Sequence, residues 1–188
     1  YQYVRLEHYL AFKRKDFLLI VGVLFFLIGL MGVGKTSSGR MLSNLTNKSF
    51  IDLDSEIEKA SGLTVANFFK KRGESSFRLF ESKLLKSFSK SIISCGGGVV
   101  LSSSNREFLK KNGKVILLTA SLHEIEKRLA KTNTRPLLDN KSIKESLSII
   151  WKKREKDYHD TADLIVDTDN KSVQQVAKEL RNLISEKD

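Results

Sequence analysis

At 188 residues with 40% hydrophobic content, the chain has room for one compact domain with a core of useful depth, and two full domains would be cramped. Its lone cysteine, Cys95, cannot form an internal disulfide, so packing alone must hold the fold, which suits a reducing compartment. The formal charge of +11 favours anionic partners, among them nucleic acid, acidic lipid and phosphorylated or carboxylated metabolites, without choosing one.

In chain order, residues 1–23 are expected to form an N-terminal extension to a domain over 24–188. Tyr3, Leu6 and Leu10 have the spacing of a short helix there, and no small-residue cleavage site follows the apolar stretch as a secretory signal would require. The run from Phe17 to Gly34 is almost wholly apolar or glycine and reaches the lower length limit of a membrane span. Its last six residues belong to a glycine-rich loop that must meet a water-borne ligand. The free apolar part is therefore too short for a bilayer, and a buried strand ending at Ile28 accounts for it better.

Residues 35–45 then read as a helix and 49–53 as a second strand. Helical stretches run through Lys71 and over 74–89, the latter carrying Phe77, Phe80, Leu84, Leu85 and Phe88 at helical spacing. A third strand over 91–95 runs into Gly96, Gly97 and Gly98. A helix near 105–111, a strand over 114–120 and a helix opened by Ser121 with Glu124 follow, the last pair at capping-box spacing. After a polar stretch over 131–141, Ser142 and Glu145 repeat that spacing ahead of a long helix to about residue 159. A fifth strand over 163–167 precedes a helix with Val173, Val176, Leu180 and Leu183 on one face. Five strands with helices between them, beginning on a strand that runs into a phosphate-binding type of glycine loop, predict a three-layer α/β/α fold with a five-stranded parallel sheet, of the P-loop NTPase, nucleoside-monophosphate-kinase-like type.

The loop GLMGVGKT, Gly29 to Thr36, is a complete phosphate-binding signature between an apolar strand and a helix. Its glycines turn successive N–H groups toward phosphate oxygens, and the helix N-terminus adds favourable partial charge. Gly32, Val33, Gly34, Lys35, Thr36 and Ser37 are the expected ATP contacts, with Lys35 reaching the outer phosphates and Thr36 placing its hydroxyl on Mg²⁺. Asp52 and Asp54 are expected to emerge from the carboxyl end of the second strand, one holding the metal and the other accepting a proton from a substrate hydroxyl. The plainer reading of Asp54 is a cap for a helix starting near Ser55. Gly96 to Gly98 allow a ligand to approach bare backbone, or simply make a tight turn. Arg78, Arg135 and Arg154 cannot be ranked on spacing, although guanidinium forks suit carboxylate and phosphate.

Taken together, GLMGVGKT, Asp52-Leu53-Asp54, the stretch from Gly73 to Arg78, Gly96 to Gly98, and Arg135 to Leu138 resemble the shikimate kinase family, from about residue 24 onward. The resemblance implies transfer of the ATP γ-phosphoryl group to the 3-hydroxyl of shikimate, with Mg²⁺, in the route to chorismate and the aromatic amino acids. It implies that Asp54 contacts the substrate hydroxyls as the candidate base. Arg78 and Arg154 would clamp the carboxylate, Gly96, Gly97 and Gly98 would add backbone contacts, and Glu81 would orient Arg78. Asp52 and Thr36 would serve Mg²⁺. Arg135 would act from a lid over about 131–141, beside Lys35, on the transferring phosphate. Arg128 or Lys131 would face adenine. The lid lacks the family's usual glycine-rich sequence. A cytoplasmic monomer acting on shikimate and ATP, with no nucleic acid or membrane partner, is the corresponding expectation.

Other readings remain. Asn47-Lys48, Asn140-Lys141 and Asn170-Lys171 all lack the Asp of a guanine-reading motif, which argues against a small GTPase. Another metabolite kinase of the same fold, or a nucleotide-binding module without catalysis, stays open at this stage. No aromatic-basic RNA motif or helix-turn-helix is evident.

Overall fold

The computed structural model describes residues 24–130 and 143–185. Strand β1 (Leu24–Ile28) is buried at every position, and the sheet order explains why. β1 lies at the centre, in the order β2-β3-β1-β4-β5, and every described pairing is parallel. Its neighbours are β3 (Ser91–Ser94) and β4 (Gly113–Thr119), while β2 (Ser49–Asp52) and β5 (Leu164–Asp167) form the two edges. A parallel strand covered on both faces needs apolar side chains on both, which is the continuous run Leu24-Phe25-Phe26-Leu27-Ile28. In register, Leu27 lies beside Ser94 and Asp52 beside the same Ser94, so the carboxyl ends of β1, β3 and β2 open onto one edge. Ligands of open α/β sheets bind at that edge.

Helix α1 (Lys35–Thr46) starts at Gly34, whose φ of 95° lies in the left-handed region that favours glycine, and closes at Asn47. It packs against β1, β2, β3 and the last helix, α7 (Val173–Ser185). Gly39 sits where a Cβ would stand 2.6 Å from the Phe50 ring, so α1 lies close on the sheet.

Helix α2 (Leu53–Ser61) follows β2 without a loop. The expected strand through Leu53 therefore ends one residue early, because Asp52 is the N-cap: its Oδ1 accepts from Ser55 N at 3.1 Å. The cap assigned to Asp54 in the plainer reading thus belongs to Asp52. Asp54 lies in the first helical turn, so of the two carboxylates expected at the end of the second strand only Asp52 belongs to it.

Helix α3 (Val65–Leu85) is capped by the Thr64 hydroxyl and interrupted at Gly73, with φ 77° and ψ 166°, values essentially restricted to glycine. The expected break between residues 71 and 74 is this kink. The helix stops at Leu85 rather than Ser89, where the Ser87 hydroxyl takes the Leu84 carbonyl and Lys90 adopts φ 52°. A short 3₁₀ turn (Val99–Leu101) leads to α4 (Ser103–Asn112), capped by Ser102. In α5 (Leu122–Ala130), Glu124 N donates to Ser121 Oγ at 3.2 Å, as the capping-box spacing predicts. Helix α6 (Ile143–Thr161) precedes β5. On α7 the buried face is Val176, Ala177, Leu180 and Ile184, whereas Val173 and Leu183 are only half-buried. Among the described residues no helix is long and apolar enough to cross a membrane.

Candidate active site

The loop between β1 and α1 places Gly29, Gly32 and Gly34 at φ 136°, 80° and 95°. Lys35 folds back beneath it, its Nζ donating to Gly29 O at 2.9 Å and Leu30 O at 2.7 Å. Burial lowers its pKa from 10.5 to about 8, against the opposing pull of Asp54 and other neighbouring anionic groups. Beside it, Thr36 Oγ1 donates to Asp52 Oδ2 at 2.6 Å and lies 3.3 Å from Ser94 Oγ. These are hard oxygen donors next to a phosphate cradle, the chemistry Mg²⁺ selects. A cleft of about 780 Å³ joins the loop, Asp52, Asp54, Cys95 and Gly97.

The far end of the cleft is built on the three glycines after β3. A Cβ at Gly96 would lie 2.8 Å from Asp54 Oδ1 and 2.9 Å from Glu81 Oε1, and one at Gly98 would lie 2.3 Å from Arg78 Nη2. Only bare backbone lets these side chains come so close. Burial raises the Asp54 pKa, partly countered by Lys35. Arg78 Nη1 donates to Glu81 Oε2 at 2.8 Å, and its other nitrogens meet Glu74 Oε1 at 3.2 and 3.3 Å. Glu81 is fully buried; burial raises its pKa while Arg78 opposes the shift. From α6, Arg154 Nη1 donates to Gly97 O at 2.9 Å, and the Tyr158 hydroxyl donates to the same oxygen.

A second, smaller cleft of about 250 Å³ lies on the other flank of α1, lined by Gly34, Ser37, Arg128, Thr168, Lys171 and Val173 among others. Arg128 is fixed there: Nε donates to Glu124 Oε1 at 3.0 Å, Nη1 to Thr168 Oγ1 at 3.0 Å and Nη2 to Thr168 O at 2.7 Å. The Thr168 hydroxyl lies 3.2 Å from Val33 O, tying this flank to the phosphate loop.

Comparison with known proteins bears on which family the chain belongs to. The shikimate kinase family model covers residues 31–185. Shikimate kinase of Bacillus mycoides is 36% identical over 163 residues, 86% of this chain and 98% of its own. That of Pelotomaculum thermopropionicum is 39% identical over 163 residues, 85% of this chain and 94% of its own. The chain belongs to the shikimate kinase family. Among solved structures, shikimate kinase from Acinetobacter baumannii in complex with shikimate superposes with a TM-score of 0.82 at 32% identity, covering 93% of this chain and 98% of that one. The Bacteroides thetaiotaomicron shikimate kinase gives 0.80 at 31% identity, covering 87% and 98%.

The residues singled out in the sequence, Lys35, Thr36, Asp52, Asp54, Arg78, Gly96, Gly97, Gly98 and Arg154, lie together at one end of the sheet, with Glu81 on Arg78. Arg135 and Lys131 lie outside the described residues. Sequence reasoning missed Ser94, Thr168 and Tyr158. Ser94 could have been found from its place at the end of the third strand. Thr168 and Tyr158 carried no local signal, because what matters is the carbonyl each meets across the fold.

Proposed function

We propose that the protein transfers the γ-phosphoryl group of ATP to the 3-hydroxyl of shikimate, giving shikimate 3-phosphate and ADP on the route to chorismate and the aromatic amino acids. The observation that carries this reading is one cleft in which a phosphate loop faces the half-buried Asp54 carboxylate, with two arginines meeting at a glycine shelf behind it. A phosphate donor and a carboxylated acceptor bearing hydroxyls would both be accommodated there.

Phosphoryl transfer demands little covalent participation from protein, so positioning and charge neutralisation dominate. Lys35 would exchange the Gly29 and Leu30 carbonyls for the outer phosphates, which Gly32, Val33, Gly34 and Ser37 cradle. Asp52 and Thr36 would hold Mg²⁺, which when bound supplies charge neutralisation across the phosphate oxygens. Asp54 would take the proton of the acceptor hydroxyl; its raised pKa brings it nearer the range where a base works at neutral pH. Arg78 and Arg154 would grip the carboxylate, and Arg135 would neutralise charge on the transferring group. The smaller cleft at Arg128, Lys171 and Val173 suits the adenine. The same reading has the protein working as a cytoplasmic monomer on small molecules.

ADP release measured with and without shikimate tests it, with gluconate and nucleoside monophosphates as competing acceptors. Release that depends on shikimate is expected. Equal turnover on another acceptor, or ATP binding with no acceptor-dependent release, would overturn the reading.

A further inference from the structure

Gly97 O accepts two hydrogen bonds from α6, one from Arg154 Nη1 and one from the Tyr158 hydroxyl. A carbonyl oxygen has two lone pairs, so this one is fully occupied. We propose that the Tyr158 hydroxyl is a positioning group that keeps the Gly97 carbonyl anchored and thereby frees Arg154 to engage the carboxylate of the acceptor. The inference rests on the kinase reading above.

Arg154 has two tasks, holding Gly97 O and meeting a carboxylate. When its fork turns to take a carboxylate on two parallel N–H groups, any lengthening of the Nη1 bond weakens the hold on a half-buried carbonyl. With Tyr158 on the same oxygen, the carbonyl keeps a donor whichever way the fork turns. Tyr158 is fully buried, and its ring stacks on Trp151 with centroids 5.8 Å apart and planes 20° apart, so the hydroxyl has a fixed direction. Burial pushes the phenol up to about 12, so it remains a donor at working pH. The Gly97 peptide cannot shift harmlessly either. A Cβ there would lie 3.6 Å from both Gly29 O and Met31 N, which places Gly97 against the phosphate loop. Its neighbour Gly98 touches Arg78. One oxygen therefore sits between both halves of the acceptor clamp and the phosphate loop.

Tyr158→Phe keeps the ring and its stack and deletes only the donor. Steady-state kinetics should show a rise of roughly ten-fold in KM for shikimate, with KM for ATP within about two-fold of wild type. An unchanged shikimate KM would overturn the proposal. So would a parallel rise in both KM values, the mark of general loosening. Wild-type enzyme without shikimate-dependent ADP release would sink the kinase reading and this inference together, whereas an active wild type with an indifferent variant sinks only the inference. If the variant does not fold, the wild type still decides. Tyr158 must retain a slowly exchanging hydroxyl proton by NMR when shikimate is added, and its disappearance would refute the role.

Discussion

Lys35 shows how a single side chain ties the site to pH. With a folded pKa near 8 against an ordinary 10.5, the folded chain gives up this proton before the unfolded chain does. Between those values the unfolded state binds more protons, so the contribution of Lys35 makes stability rise with pH across that window. Phosphate binding needs the ammonium form, so kcat/KM for ATP should fall as pH rises through about 8. At saturating ATP the fall in kcat should move to higher pH, since nearby phosphates favour the charged lysine. A pH–rate profile flat from 7 to 9.5 would contradict this. Gly98 offers a second test at this scale. Arg78 is held by Glu74 and Glu81, so a methyl group placed 2.3 Å from its Nη2 must displace the guanidinium. Gly98→Ala should raise KM for shikimate about ten-fold and leave KM for ATP near wild type, by the logic of a lost charge-assisted contact. An unchanged shikimate KM would show that Arg78 does not hold the acceptor.

At the scale of elements, the junction of β2 and α2 combines two duties in Asp52. One carboxylate oxygen caps the helix through Ser55 N and the other takes the Thr36 hydroxyl. Asparagine caps nearly as well as aspartate but carries no charge. Asp52→Asn should leave the urea midpoint almost unchanged while weakening the Mg²⁺ dependence of turnover. Asp52→Ala should lose both, with a stability cost of about 1 kcal/mol. Equal midpoints for the two variants would remove the capping role. This junction is also where sequence reading reached its limit. Over Asp52-Leu53-Asp54 the period of a strand and the first turn of a helix cannot be told apart, and only the cap bond decides. Elsewhere local chemistry was sufficient. The apolar run to Ile28, the glycine loop after it and the break at Gly73 each have one cheap solution. The Arg128–Thr168 bonds had no such trace, because they require β4 and β5 to pair first, bringing Thr119 beside Asp167.

For the molecule as a whole, the sheet order makes the site a product of distant pairings. β1 meets β3 through Phe25 and Ile92 and meets β4 through Phe25 and Lys114, so the strand that carries the phosphate loop is fixed only after long segments have closed. Loop closure of that kind is slow compared with helix formation. In refolding experiments, far-UV helical signal should therefore return before binding of a fluorescent nucleotide, and simultaneous recovery would argue against late assembly of the centre. The chain also carries its own optical reporter. Its single tryptophan, Trp151, stacks on the tyrosine that anchors Gly97. Intrinsic emission excited at the indole should thus read the acceptor shelf, so that a titration with shikimate changes the spectrum directly, with no label attached.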